Sequence, residues 1–201
     1  MKKQLLAFGV LFSGVVLLSC NNSGTDSNDS ATDTGMNTNS TMDTGNMGTT
    51  MTNTATNVGD TDRTFMMEAA SGGMMEVEAG RLAEQSASSA RVKGFGTMMV
   101  QDHTNANNEL KALASTKNVM LPDSMMAKHR EHITMLKKKT GKDFDKAYMS
   151  MMVTDHNEDV NKFQVASNNA ADADVKAFAS KTLPVLRTHL DSAKAINTAI
   201  K

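Results

Sequence analysis

The sequence predicts an all-α protein: a ferritin-like four-helix bundle with a short crossover helix, preceded by a disordered tether. Three observations predict it. From Asp62 onward, apolar residues recur at three- and four-residue spacing through four long segments, and no alternating strand pattern competes. A polar stretch separates that region from an apolar leader. Val92-Lys93-Gly94-Phe95 echoes Val175-Lys176-Ala177-Phe178 at an offset of 83, which superposes one helical hairpin on another.

The leader comes first. Lys2 and Lys3 precede an apolar run, Leu5 to Leu18, broken only by Gly9, Ser13 and Gly14. The run is short for a membrane span. It ends in Leu17-Leu18-Ser19-Cys20, and the chain then turns polar. Residues 1–19 therefore read as a lipoprotein signal peptide and Cys20 as the lipidation site, anchoring the chain to a membrane. Asn21, rather than an acidic residue, follows the cysteine, so the expected address is the cell envelope, at the outer membrane. Cys20 is the single cysteine, so no disulfide can staple the fold.

Residues 20–61 are Asn, Ser, Thr, Gly and Asp with scattered Met, and lack apolar periodicity. About 40 residues of such coil span roughly 35 Å. The stretch 21–61 carries five Asp and no Lys or Arg, a net charge of −5, whereas 62–201 carries +2. Neither suits a nucleic-acid partner. Met36, Met42, Met47 and Met51 lie in this tether. Biased composition explains them most simply, and capture of Cu(I) by soft thioethers is the second reading.

Residues 62–201 form the helical domain. A first segment spans about 64–88, with Gly72-Gly73 as an expected weak point. A second spans 89–117, its apolar face formed by Val92, Phe95, Met99, His103, Ala106, Leu110 and Leu113. Pro122 and Asp123 open a short helix expected over 123–139, stopped by Gly141. A third long segment spans 143–169 on Phe144, Tyr148, Met152, His156, Val160 and Phe163. The fourth, 172–200, holds Pro184 as an expected kink. With no Trp and one Tyr, the core must be aliphatic, with Met as filler.

Three of the five histidines, His103, His156 and His189, fall on inward positions of long segments. Counted from turns expected at 88–90 and 171–173, Glu76 lies level with His103, and His156 level with His189. At 1.5 Å rise per residue the two levels differ by only about 4–5 Å. Glu76, His103, His156 and His189 are thus candidate ligands for a transition metal ion such as iron, copper or zinc. Asp102 and Asp155, about 100° round their helices, are candidate outer partners of the imidazoles. The competing reading is a buried polar network without a metal. His129 and His132 share a face of the short helix among charged neighbours, and a solvated surface is expected there. No Glu-x-x-His pair is present, which disfavours a di-iron oxidase, and no nucleophile elbow, phosphate loop, dinucleotide fingerprint or zinc-protease motif occurs.

Five stretches together resemble a bacterial family, the domain of unknown function 4142, whose members are predicted outer-membrane or periplasmic proteins. They are Glu76-Val-Glu-Ala-Gly-Arg-Leu-Ala83; Val92-Lys-Gly-Phe95 with Met99-Val-Gln-Asp-His-Thr104; Gly141-Lys-Asp-Phe-Asp-Lys-Ala-Tyr148; Met152-Val-Thr-Asp-His156; and Leu183-Pro-Val-Leu-Arg-Thr-His-Leu190. The resemblance covers about 62–200 and implies a ferritin-like bundle. It implies no settled activity. Asp102, His103, His156 and His189 stand at family motif positions, while Gly94 and Gly96 replace better helix formers and are expected to loosen the second segment. From sequence, the favoured function is a non-enzymatic envelope module for interaction or stress tolerance, and transition-metal binding is the alternative.

Overall fold

The computed structural model describes residues 58–200. The expected signal peptide, Cys20 and most of the expected tether lie outside the described residues. Five helices form among the described residues: α1 (Asp60–Ser86), α2 (Ala90–Thr116), α3 (Ala127–Leu136), α4 (Gly141–Asn169) and α5 (Ala173–Ala199). Among the described residues, β pairing is limited to one parallel bridge between Ala87 and Gly141. The domain starts before the expected boundary, since Val58 is buried and Asp60 and Thr61 are already helical.

α1 and α2 form one hairpin, and α4 and α5 the other. α1 also packs on α4, α2 packs on α5, and α3 lies against α1 and α4. The Ala87–Gly141 bridge sets the start of α4 beside the end of α1. The crossover must therefore return along the bundle, and α1 runs antiparallel to α4. α2 and α5 are related by the 83-residue offset along their whole length.

Helix ends are sealed both by local residues and by other elements. Asp172 caps α5 itself, its carboxylate accepting from the backbone N–H of Asp174 and Val175. Asn118, at φ 54°, turns the chain out of α2 while the Val119 N–H donates to the Ala114 carbonyl. At the start of α2, Asp145 of α4 accepts from the Ser88 and Ser89 backbone N–H groups at 3.0 Å each, and from the Ser88 hydroxyl at 2.5 Å.

The glycines behave differently from their helix propensities. α1 runs through Gly72 and Gly73 without interruption, and both are buried. A Cβ on Gly73 would stand 2.1 Å from Asn107 Oδ1, so the missing side chain makes room for α2. Gly96 does not loosen α2. Its Cβ would meet the Gly80 carbonyl oxygen at 2.7 Å, and a Cβ on Gly80 would meet the Gly96 carbonyl at the same distance. The two helix backbones touch there, and only glycine permits that approach. Gly141 does not simply stop the short helix. It opens α4 at φ 60°, a conformation that suits glycine.

The crossover helix is shorter than the 123–139 expected from Pro122 and Gly141. Its start is set from outside: the Met126 N–H donates to the Ser71 hydroxyl of α1 at 2.7 Å, and the helix begins one residue later. Ser71 Oγ also lies 2.6 Å from His129 Nδ1. His129 is therefore buried beneath the crossover, not on the solvated face expected for it.

The apolar core falls into two clusters. One gathers Met66, Leu110, Phe163, Phe178 and Leu186; the other gathers Met75, Phe95, Met99, Tyr148 and Met152. Between them along the helices sits a layer of buried polar side chains: Glu76, His103, His156 and His189. Hydrophobic burial above and below fixes the helices that carry this layer.

Candidate metal centre

Each of the four long helices contributes one residue to the polar layer: Glu76 from α1, His103 from α2, His156 from α4 and His189 from α5. The three histidines are inward because each follows apolar residues at helical spacing, as His103 follows Phe95 and Met99. The imidazole centroids lie 5.3–5.6 Å apart in all three pairings. One ring nitrogen of each histidine lies within 4.8 Å of those of the other two.

The hydrogen bonds determine where the ring protons go. His156 Nδ1 lies 3.1 Å from the Met152 carbonyl, which can only accept, so this nitrogen donates. His189 Nε2 lies 2.9 Å from Asp102 Oδ2, and His103 Nδ1 lies 2.8 Å from Glu76 Oε2. A neutral imidazole carries one N–H. With that proton directed outward, His156 Nε2 and His189 Nδ1 keep lone pairs, and His103 Nε2 does so when Glu76 accepts from Nδ1–H. His156 Nε2 and His189 Nδ1 face each other at 3.4 Å. His103 Nε2 is buried without a hydrogen-bond partner.

Electrostatics favour the neutral rings. Burial pushes His103 down to about 4, against opposing pulls from Asp159 and Asp102. His156 is held well below its ordinary value by burial, and by His103 and His189. His189 is also lowered by burial, partly offset by its bond to Asp102. Glu76 moves the other way. Burial raises it to about 8, the charge of Asp155 adds to the rise, and a hydrogen bond with Asp159 opposes it. Asp159 in turn is raised well above its usual range by burial and by Glu76.

The sequence-predicted residues therefore divide. His103, His156 and His189 converge. Glu76 stands beside them as the carboxylate on His103 Nδ1, with its Oε1 3.5 Å from His156 Nε2. Asp102 does reach an imidazole, but across the bundle on α5 rather than on its own helix. Asp155 is not an outer partner of His156. It points to α3, where Oδ2 lies 3.5 Å from His132 Nδ1, because a step of about 100° round α4 carries it to the α3 side. Sequence reasoning missed Asp159 of α4, whose carboxyl lies close enough to Glu76 of α1 for each to shift the other's titration. The 83-residue offset contains the signal, since it carries Glu76 onto Asp159.

The residues present fit a transition metal. Three ring nitrogens converge in a buried layer, and each opposite nitrogen faces an oxygen, as metal-ligating histidines require. At metal–nitrogen distances of about 2.0–2.1 Å, two imidazoles on one tetrahedral ion stand about 3.3–3.4 Å apart. The 3.4 Å between His156 Nε2 and His189 Nδ1 matches that separation.

The family described as "Domain of unknown function (DUF4142)" matches residues 47–196. The chain belongs to that family. No curated protein matches it. Two solved structures share the fold. A DUF305 fragment from Deinococcus radiodurans superposes with a TM-score of 0.63 at 8% identity, covering 71% of this chain and 98% of that one. CopM in its Cu(II)-bound form superposes with a TM-score of 0.60 at 14% identity, covering 70% and 97%. At these identities the likeness of the DUF4142 chain to both is one of fold.

Proposed function

We propose that this protein is a transition-metal-binding lipoprotein of the cell envelope, non-enzymatic, holding one ion on His103, His156 and His189. The observation that carries the reading is the convergence of one ring nitrogen from each of three buried histidines, whose opposite nitrogens each face an oxygen. A structural histidine network would place a proton between His156 Nε2 and His189 Nδ1; here both outward nitrogens already hold the protons. Glu76 and Asp102 orient His103 and His189. Imidazole donors suit copper and zinc, and copper binds most tightly of the divalent first-row ions. The fold shared with a protein known in a Cu(II)-bound form supports the same choice. The ion would be sequestered rather than turned over, since the layer is sealed between two apolar clusters.

The test is metal analysis of the mature chain purified without an affinity tag, then titrated with Cu(II) and Zn(II). One tightly bound equivalent is expected, with nitrogen hyperfine structure in the Cu(II) resonance, lost in His103→Ala and His156→Ala while circular dichroism stays helical. Unchanged stoichiometry in both variants overturns the reading. The envelope address rests on Leu17-Leu18-Ser19-Cys20. Cys20→Ala is expected to release the protein from membranes, and a variant that stays membrane-bound refutes the lipid anchor.

A further inference from the structure

A second cluster of metal-binding side chains lies outside the polar layer, in the groove between α3 and α4. The groove is lined by His132 and Met135 from α3 and by Met151, Ser150, Thr154 and Asp155 from α4. His132 and Met135 are three apart, and Met151 and Asp155 four apart, so each pair shares one face of its helix. The two faces oppose each other across a cavity of about 320 Å³. His132 Nδ1 and Asp155 Oδ2 are buried atoms with no hydrogen-bond partner. They stand 3.5 Å apart, beyond a good N–H···O bond. Asp155 is 9% exposed, whereas Met135 is 53% exposed, so the groove joins a sheltered carboxylate to solvent. Lys139 also lines the groove, but it is an exposed side chain whose long stem lets the ammonium turn to water.

We infer that this groove is a solvent-accessible Cu(I) site, formed by the His132 imidazole and the Met135 and Met151 thioethers, with Asp155 orienting or completing it. Thioether and imidazole donors suit Cu(I), and soft sulfur discriminates against magnesium and calcium. An accessible soft-donor groove suits capture of an ion delivered from outside. The site shares no side chain with the His103–His156–His189 layer, so either can fail alone.

The experiment uses the full mature chain labelled with 13C at methionine methyls and titrated anaerobically with Cu(I), and separately with redox-inert Ag(I). Methyl resonances are assigned by Met→Leu variants. The Met135 and Met151 methyls are expected to shift together within the first equivalents. Met135→Leu with Met151→Leu is expected to remove one equivalent in competition with a chromophoric Cu(I) chelator. His103→Ala is expected to leave that equivalent in place. Shifts confined to the methionines of residues 20–57, or an unchanged Cu(I) stoichiometry in the double leucine variant, overturn the assignment.

Discussion

Asp62 and Asp145 hold equivalent places in the two hairpins, 83 residues apart, and each seals the turn of the hairpin it does not belong to. Asp62 Oδ2 accepts from the Asp172 N–H at 2.8 Å, at the start of α5. Asp145 accepts from the Ser88 and Ser89 N–H groups at the start of α2. Ser89 and Asp172 are themselves 83 apart, so one contact is the image of the other. The two hairpins are thereby clasped at both ends of the bundle. Asp145 also takes the Ser88 hydroxyl, giving it three bonds against one for Asp62. At about 1 kcal/mol net per bond, Asp145→Ala is expected to cost about 2–3 kcal/mol and Asp62→Ala about 1 kcal/mol. Urea midpoints at constant slope measure both, and equal losses would contradict the bond count.

The glycines of α2 separate propensity from packing. A Cβ at Gly94 meets nothing within 4 Å, so Gly94→Ala is expected to stabilise the protein by about 0.5–1 kcal/mol through helix propensity. Gly96→Ala meets the Gly80 carbonyl at 2.7 Å and the Ala83 Cβ at 2.8 Å. It is expected to destabilise by about 1–3 kcal/mol despite the same propensity gain. Thermal melts of the two variants decide it, and effects of the same sign would refute the contact.

The polar layer makes stability of the metal-free protein depend on pH in both directions. His103 is held at about 4 against an ordinary 6.5. Between those values the unfolded chain takes up a proton that the fold refuses, so stability falls as pH falls, and His156 and His189 act in the same sense. Glu76 is raised from 4.5 to about 8. In that window the fold retains a proton the unfolded chain releases, so stability falls as pH rises. From 6.5 to 8 Glu76 is not opposed by these histidines and Asp159, also raised, acts in the same sense; Glu76 alone contributes a slope of up to about 1.4 kcal/mol per pH unit. Urea titrations with chelator present are expected to show this decline, and Glu76→Gln to flatten it. An alkaline limb identical in Glu76→Gln would exclude Glu76 as its source.

Asp102 tests the orienting role. His189 offers Nδ1 inward only while Nε2–H is held by a carboxylate 2.9 Å away. Asp102→Asn keeps the shape but permits the amide to donate, which favours the wrong tautomer. Metal affinity is expected to drop about 10–100-fold, with the melting temperature of the metal-free protein little changed. An affinity equal to that of the unaltered protein would make Asp102 a bystander.

How much of this was legible beforehand varies by element. The four long helices follow from apolar spacing alone, because each needs only one continuous buried stripe, and the 83-residue echo in Val92–Phe95 and Val175–Phe178 reports the duplicated hairpin. His103, His156 and His189 were legible because inward position is a matter of phase along one helix. Asp155 was misplaced because its partner lies on α3, and one helix's phase says nothing about which neighbour occupies a given side. His129 was misread for the same reason: the hydroxyl that buries it belongs to Ser71, 58 residues away.

The sequence by itself determined the helical class, the inward set of histidines and the pairing of hairpins, all of which are local patterns or repeats of local patterns. Only the tertiary structure decided which ring nitrogens face one another, that Asp102 serves His189 rather than its neighbour His103, and that Gly80 and Gly96 are a contact rather than a weakness. Those outcomes depend on distances of 2.7–3.4 Å between separate helices. Such distances are set by the packing of whole helices against one another, through many side chains at once, and no stretch of the chain encodes them alone.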